Sequence, residues 1–302
     1  AMSQSICPEN NPLKYLIKRK EDDLMLTIRN YVRAKSLEEA YELNQKKPNL
    51  VVGGMMWMRM SSRNVGTLID LGDLGLNKIE ETEDAYLIGA MTSLRQIEKH
   101  EGLNALTHGA MADAVKDIIG VQFRNCATVG GSIFGRFGFS DVLTLFLALD
   151  SYVELYKGGV VPMKDFAGMK RDRDILVRVI VKKTPVKCVY QAVRRQRTDF
   201  PTLTCAVSEM KGQITAVIGA RPFAAVAVED QENILGGGLP FSAETAEAFG
   251  SYVAGQIRTD SNIRGSAEYR KHLAKVLTGR ALLELNKQIN ETCDTCAGEG
   301  DL

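Results

Sequence analysis

The sequence predicts an α+β protein of two domains. Three observations predict it. Up to Asp150, helix-period stretches are interleaved with short apolar runs. Beyond Asp150 the pattern changes to strand-like runs, several alternating, and the chain then closes on two helical stretches. A polar, proline-marked connection, "KKTPVK", places a boundary near residue 182. At 302 residues the chain is long enough for two domains.

In order, "SLEEAYELNQ" reads as a helix with Ser36 as N-cap and Glu39 three residues on. "NLVVGGMM" reads as a short buried strand entering a glycine turn. "TLIDL" and "AYLIGAM" are strands, and "SLRQIEKHE" and "LNALTHGAMADAVKDI" are helices with apolar residues three and four apart. "CATVGGSIFG" reads as a glycine loop, and "SDVLTLFLALD" as a helix apolar enough to be buried. "SYVELY", "DILVRVIV", "CVYQAVRR", "TLTCAVSEM" and "QITAVIGARPFAAVAV" read as strands. The last two helices are "SAETAEAFGSYVAGQI" and "RGSAEYRKHLAKVLTGRALLELNKQIN". The expected division is a polar N-terminal extension over 1–25, a first domain over 26–182, a second over 183–290 and a loose polar tail over 291–302.

Composition removes several function classes. The chain is 45 % hydrophobic and 25 % charged, ordinary for a globular protein with a core. A net charge of +1 provides no field to attract nucleic acid or an anionic membrane. No apolar run approaches the ~20 residues of a membrane span, and the N-terminal stretch lacks a signal-peptide core. Six scattered cysteines fit a reducing cytoplasm better than a disulfide framework.

Two segments share one grammar: Val51-Val52-Gly53-Gly54-Met55 and Thr128-Val129-Gly130-Gly131-Ser132. Glycine permits positive φ and leaves amide N–H groups open to an anion, and Thr128 and Ser132 add hydroxyls. A pyrophosphate suits two such segments better than one. There is no G-x-x-x-x-G-K-[ST], so a P-loop is excluded, and G-G-S-I-F-G is not a Rossmann fingerprint. Packing turns remain the competing explanation. Ser140-Asp141 supplies a helix N-cap, and Asp141 is also placed to accept from a ribityl or ribose hydroxyl.

Arg124-Asn125-Cys126-Ala127-Thr128-Val129-Gly130-Gly131-Ser132, followed by Ser140-Asp141 and an apolar helix, resembles the second flavin loop of the FAD subunit of molybdenum hydroxylases. That family's pattern is R-N-x-A-T-x-G-G-N with S-D at the same distance. "LVVGGMM" falls where the family has A-G-G-T-D-L, "GARPFAAVAVED" where it has an Arg-Pro strand, and "RGSAEYRKHLAKVL" resembles its C-terminal R-x-S-x-x-Y-R helix start. The resemblance runs from about Thr27 to about Asn286. It implies a vanillyl-alcohol-oxidase (PCMH)-type FAD-binding domain of two subdomains and a small α+β C-terminal domain.

Carried over by position, Val51, Val52, Gly53, Gly54, Met55, Met56, Trp57 and Met58 would wrap the FAD pyrophosphate. Thr128, Val129, Gly130, Gly131 and Ser132 would hold its other side. Ile119 and Gly120 would flank the isoalloxazine, Asp141 would bind the sugar-like chain, and Leu176 would contact the adenine end. Gln191 stands where the family often has a flavin-proximal lysine, with Arg194 and Arg195 close by. Met55-Met56 replaces the family Thr-Asp, and Ser132 replaces its Asn; FAD is expected to bind, more weakly than in the family.

The resemblance implies an oxidoreductase subunit that passes electrons from iron–sulfur clusters through FAD to NAD or another acceptor. Its partners would be a molybdopterin-binding large subunit and a 2Fe–2S subunit. A flavin-poor assembly subunit on the same fold is the alternative, and a self-sufficient flavin oxidase is disfavoured because no catalytic base shows. His100, His108 and His272 read as packing or surface residues, and Cys126, Cys188 and Cys205 as small buried side chains. No metal site is assigned. Cys293-x-x-Cys296 is only half of one, and Arg194-Arg195-Gln196-Arg197 reads first as a solvated face.

Overall fold

A computed structural model describes residues 25–236 and 238–297, with side chains through Gln288. Most of the expected N-terminal extension lies outside the described residues, as do the side chains of Cys293 and Cys296.

The chain builds three sheets. The first is parallel: β1 (Thr27–Arg33), β3 (Asn64–Asp70) and β2 (Leu50–Val52) in the order β1-β3-β2. Helix α1 (Leu37–Asn44) lies between β1 and β2 in sequence. Ser36 caps it, accepting from the Glu39 amide at 3.1 Å. Ala34, Ala40, Ile69, Leu71 and Ile175 form this layer's own core.

The second sheet is antiparallel, in the order β4 (Ile79–Glu81), β5 (Ala85–Gly89), β8 (Leu176–Lys182), β6 (Ser151–Leu155), β7 (Gly159–Pro162). Against it pack α2 (Leu94–Lys99), α3 (Glu101–Leu106), α4 (Ala110–Val115), α5 (Val121–Cys126), α6 (Val129–Phe134), α7 (Asp141–Leu147) and α8 (Met163–Gly168). Every residue of α7 is buried, as its apolar sequence requires. Ser140 caps it, accepting from the Leu143 amide at 3.1 Å.

The third sheet runs β12 (Val226–Glu229), β11 (Gln213–Gly219), β10 (Pro201–Met210), β9 (Lys187–Arg194), all antiparallel. Both of its faces are covered. Val189, Leu203, Cys205, Val207 and Ile218 point to α9 (Ala243–Gln256) and α10 (Ala267–Ala297). Cys188, Tyr190, Ala206 and Val217 point the other way, into the core of the second sheet. The period-2 geometry of a strand divides these residues between two cores. It also explains why β10 is buried from Pro201 through Ser208. Thr144 on α7 and Thr204 on β10 share a hydrogen bond at 3.0 Å across this seam.

Four expectations are corrected. "LNALTHGAMADAVKDI" is two helices, because His108 (φ 48°) and Gly109 (φ 82°) turn left-handed between them. His100 also separates α2 from α3, its ring Nδ1 accepting from the Leu103 amide at 3.1 Å. "QITAVIGARPFAAVAV" is two strands. The loose tail gives way to helix, with α10 continuing to Ala297, just before Gly298. Cys126 is exposed. Cys188 and Cys205 are buried, and burial pushes both thiols up to about 12, which leaves them protonated and unreactive at neutral pH.

Candidate functional site

β2 ends at Val52 and delivers the chain directly to the first Gly-Gly segment. Neither glycine takes positive φ; Met55 does, at φ 56°. The glycines are required by close approach instead. A Cβ on Gly53 would lie 2.2 Å from Thr128 Oγ1, and one on Gly54 would lie 1.7 Å from the Cys126 carbonyl oxygen. The first segment therefore lies directly on the second. Its amides are open: from Gly53 to Trp57 no N–H donates to an acceptor among the described residues. Consecutive unpaired amides along a turn form an anion-binding concavity.

The second segment is not a loop. It is the first turn of α6, with Thr128 as N-cap accepting from the Gly131 amide at 3.1 Å. Val129 N–H donates to the Thr92 carbonyl at 2.9 Å and Gly130 N–H to the Ala90 carbonyl at 2.8 Å. Ser132 donates its hydroxyl to the Thr128 carbonyl at 2.9 Å. The expectation of free amide donors here is corrected from Val129 to Ser132: neighbouring backbone and the cap have used those amides. A Cβ on Gly130 would meet the Ala90 oxygen at 2.7 Å, so this glycine serves packing.

The two segments form one wall of a cleft of about 710 Å³, well within the range of ligand pockets. Val51, Val52, Gly53, Gly54, Met55, Met56, Trp57 and Met58 line it, with Thr128, Gly130, Gly131 and Ser132. Ile119, Asp141 and Leu176 line it as well. Gly120, Val129 and Gln191 do not. Gly120 is the N-cap of α5, Val129 is fully buried in the core, and Gln191 faces Cys205 across the β9–β10 ladder. Arg194, three residues beyond Gln191 on the same strand, reaches the cleft instead. Ile119 sits at φ 52° and is 44 % exposed, an uncommon conformation for a β-branched residue.

Asp141 begins α7 and accepts from the Tyr190 hydroxyl at 2.6 Å and from the Arg194 guanidinium. Burial raises its pKa; Arg194 and Tyr190 pull the other way without overcoming that. The Arg194–Asp141 pair is almost fully shielded from water and ties the third sheet to the cleft wall. Arg124, just ahead of the second segment, is likewise committed. It forms a buried fork onto Glu98, Nε to Oε2 at 2.7 Å and Nη2 to Oε1 at 3.2 Å, and donates to the Ile118 carbonyl.

Sequence reading missed the aromatic floor. Trp57 packs edge-on to Phe123 and Phe139, with centroids 5.8 and 5.5 Å away, and tilted on Phe200 at 4.9 Å. Phe137 stacks on Phe139 at 5.3 Å. The available signal was "RFGFSD", two phenylalanines flanking a glycine just before Ser140-Asp141. Also missed were Arg63 and Arg171, cleft-lining cations with no carboxylate partner among the described residues. Arg197 pairs with Asp117 at 2.8 Å, and Arg195 is exposed.

A cleft with an open-amide turn, apolar and aromatic walls and lining arginines suits an extended phosphate-bearing cofactor. The chain belongs to the family whose model is described as the FAD binding domain in molybdopterin dehydrogenase, matched over residues 25–184. Residues 188–285 match the CO dehydrogenase flavoprotein C-terminal domain. The chain is 28 % identical over 279 residues to the glyceraldehyde dehydrogenase medium chain of Sulfolobus acidocaldarius, covering 85 % of this chain and 98 % of that one. It is 29 % identical over 276 residues to the nicotine 6-hydroxylase medium subunit of Paenarthrobacter nicotinovorans, covering 84 % and 96 %. Among solved structures, quinoline 2-oxidoreductase from Pseudomonas putida 86 shares the fold with a TM-score of 0.75 at 20 % identity, over 86 % and 97 % of the chains. This is an oxidoreductase subunit, and its cofactor is FAD.

The residues present fit that cofactor. Open amides between Gly53 and Trp57 suit a pyrophosphate, and Arg63 and Arg171 supply charge of the right sign. Apolar and aromatic side chains suit the two ring systems.

Proposed function

We propose that this chain is the electron-transfer subunit of a molybdenum hydroxylase complex. FAD, when bound, exchanges electrons between iron–sulfur clusters and an acceptor such as NAD. The observation that carries this reading is the run of open amides at Gly53–Trp57 facing a cleft of about 710 Å³. The names of the relatives, medium chain and medium subunit, support companion chains. We take these to be a molybdopterin-binding large subunit and a 2Fe–2S subunit, working together in the cytoplasm. The FAD-binding domain then spans 26–182 and the C-terminal domain 183–290.

In this reading the first segment holds the pyrophosphate through its backbone, and Thr128, Gly131 and Ser132 bound the other side. Leu176 lines the adenine end, and Ile119 borders the ring that exchanges electrons. Asp141, fixed by Tyr190 and Arg194, lies by the sugar-like chain. Trp57 and Phe200 keep water from the ring. The chain holds and shields; among the cleft residues there is no nucleophile–base pair.

The test is a visible absorption spectrum of the purified chain, with acid release and identification of any nucleotide. Flavin bands near one FAD per chain are expected. A colourless chain that also refuses added FAD overturns the reading and leaves a subunit that assembles without flavin.

A further inference from the structure

Arg221 and Arg258 lie outside the cleft and outside everything assigned above. Both guanidiniums lie over one ring, Phe223, with their central carbons 5.4 and 4.6 Å from its centroid. Arg221 Nη1 donates to the Arg258 carbonyl at 2.7 Å. Its Nε is buried and donates to nothing among the described residues. Neither arginine has an ion pair among the described residues.

Most other shielded guanidiniums in the chain are provided for; Arg136, which also keeps one buried Nη2 without a partner, lies over Phe166 with no second cation beside it on that ring. Arg270 donates to the carbonyls of Thr202 and Asp260 at 3.0 and 2.7 Å and to Asn262 Oδ1 at 2.6 Å. Arg264 faces Asp199, and Arg124 and Arg194 have carboxylates. Arg221 has a like charge beside it. Burial lowers its pKa first and Arg258 adds to the effect, with no acid opposing them. A buried, unused donor on Arg221 with a second cation beside it favours an anion at this place. A phosphate group accepts from several guanidinium N–H groups at once.

We propose that Arg221 and Arg258 form an oxyanion site that takes a phosphate group, free or carried by a nucleotide. The site is tied to the cleft. The Ala220 amide donates to the Gly138 carbonyl at 2.6 Å, and a Cβ on Gly138 would meet the Phe223 carbonyl oxygen at 2.4 Å. Phe137 and Phe139, on either side of Gly138, line the cleft. An anion on the arginines thus sits behind the short turn whose phenylalanines face the cofactor.

The experiment is calorimetric titration of the full chain with inorganic phosphate and, separately, with adenosine 5′-monophosphate. Excess FAD keeps the cleft filled, and ionic strength is held constant. Arg258→Ala is the first variant, because that side chain is exposed and its loss leaves the fold intact. Arg280→Ala, an exposed arginine elsewhere, is the control. Losing charge-assisted bonds weakens phosphate binding about tenfold or more in Arg258→Ala, with Arg280→Ala unchanged. Tighter binding of the nucleotide than of phosphate assigns the group to a nucleotide; equal binding assigns it to the free ion. Absence of saturable phosphate binding in the parent chain overturns the proposal. Equal binding by parent and Arg258→Ala overturns it too. Neither outcome bears on flavin binding, which the absorption spectrum reads separately.

Discussion

The two Gly-Gly segments have one sequence grammar and opposite hydrogen-bonding states. From Gly53 to Trp57 the amides have no acceptor among the described residues. From Val129 to Gly131 each amide has one, supplied by Thr92, Ala90 and the Thr128 hydroxyl. The glycines themselves do not decide this. The first segment leaves a three-residue edge strand and crosses the top of the second, so its amides face the cleft. The second enters a helix beneath it, so its amides face the β5 end of the sheet. A glycine pair marks close approach, and whether it also marks an anion site depends on which neighbour reaches the amides first.

The largest break in this comparison is Gly54→Ala. The new methyl would sit on the Cys126 carbonyl oxygen, 1.7 Å from it, and backbone cannot move aside like a flexible side chain. We expect about 3 kcal/mol of lost stability, with FAD uptake reduced because the first segment must lift off the second. Gly130→Ala, at 2.7 Å from the Ala90 oxygen, should cost about 2 kcal/mol. Chemical denaturation of both variants checks the order, and parent-like midpoints would show that the segments do not lie so close.

The second segment is also anchored from upstream, and this anchor titrates. Burial raises the Glu98 pKa, but the hydrogen bonds and charges of Arg124 and Arg95 more than offset that, so it lies below the ordinary 4.5. The carboxylate's contribution is therefore complete above about pH 4.5 and is lost as pH falls through the lowered folded value. Glu98→Gln should flatten that part of the acid limb in a stability–pH profile. An acid limb identical to the parent's would mean that the pair holds nothing.

Much of the frame was legible from local pattern. Strand-like runs showed β10 and, joined to β12, β11, and unbroken apolarity showed the buried α7. Ser36 was readable as a cap, and Ser140-Asp141 as a pair that supplies one, because an N-cap is a local arrangement; the structure gives the role to Ser140. What failed was set from a distance. Gly130 looked like a phosphate glycine because Ala90, its true neighbour, is far away in sequence. Arg124, named only as the start of the motif, is committed to Glu98, a partner the local pattern does not show. The helix break at His108-Gly109 was visible only as a single glycine. Gln191 was placed near the flavin by position, but it lies opposite Cys205 in the ladder, and Arg194, on the same strand three residues further, lines the cleft.

A smaller effect isolates the cap. Thr128→Ala removes the acceptor for the Gly131 amide while leaving the helix sequence intact. Losing such an N-cap costs about 1 kcal/mol. It also gives the second segment one open amide, making it more like the first. A cost well above that would show that the Thr128 hydroxyl also holds Gly53, which rests on it.

The smallest expected effect is the sharpest test of what the first segment does. Replacing Met55-Met56 by Thr-Asp restores side chains that the family pattern has and this chain lacks. If side chains held the pyrophosphate, the change would tighten FAD. The geometry argues otherwise. Met55 occupies φ 56°, where a β-branched threonine is more strained than methionine. An aspartate at position 56 would put a carboxylate on the cleft wall that we propose holds the pyrophosphate. Meanwhile the amides from Gly53 to Trp57 are the same in both chains. We expect FAD affinity, read by flavin fluorescence titration, to change less than about threefold, and toward weaker binding. Tightening of tenfold or more would mean that the open backbone is incidental and that the methionines are a true loss.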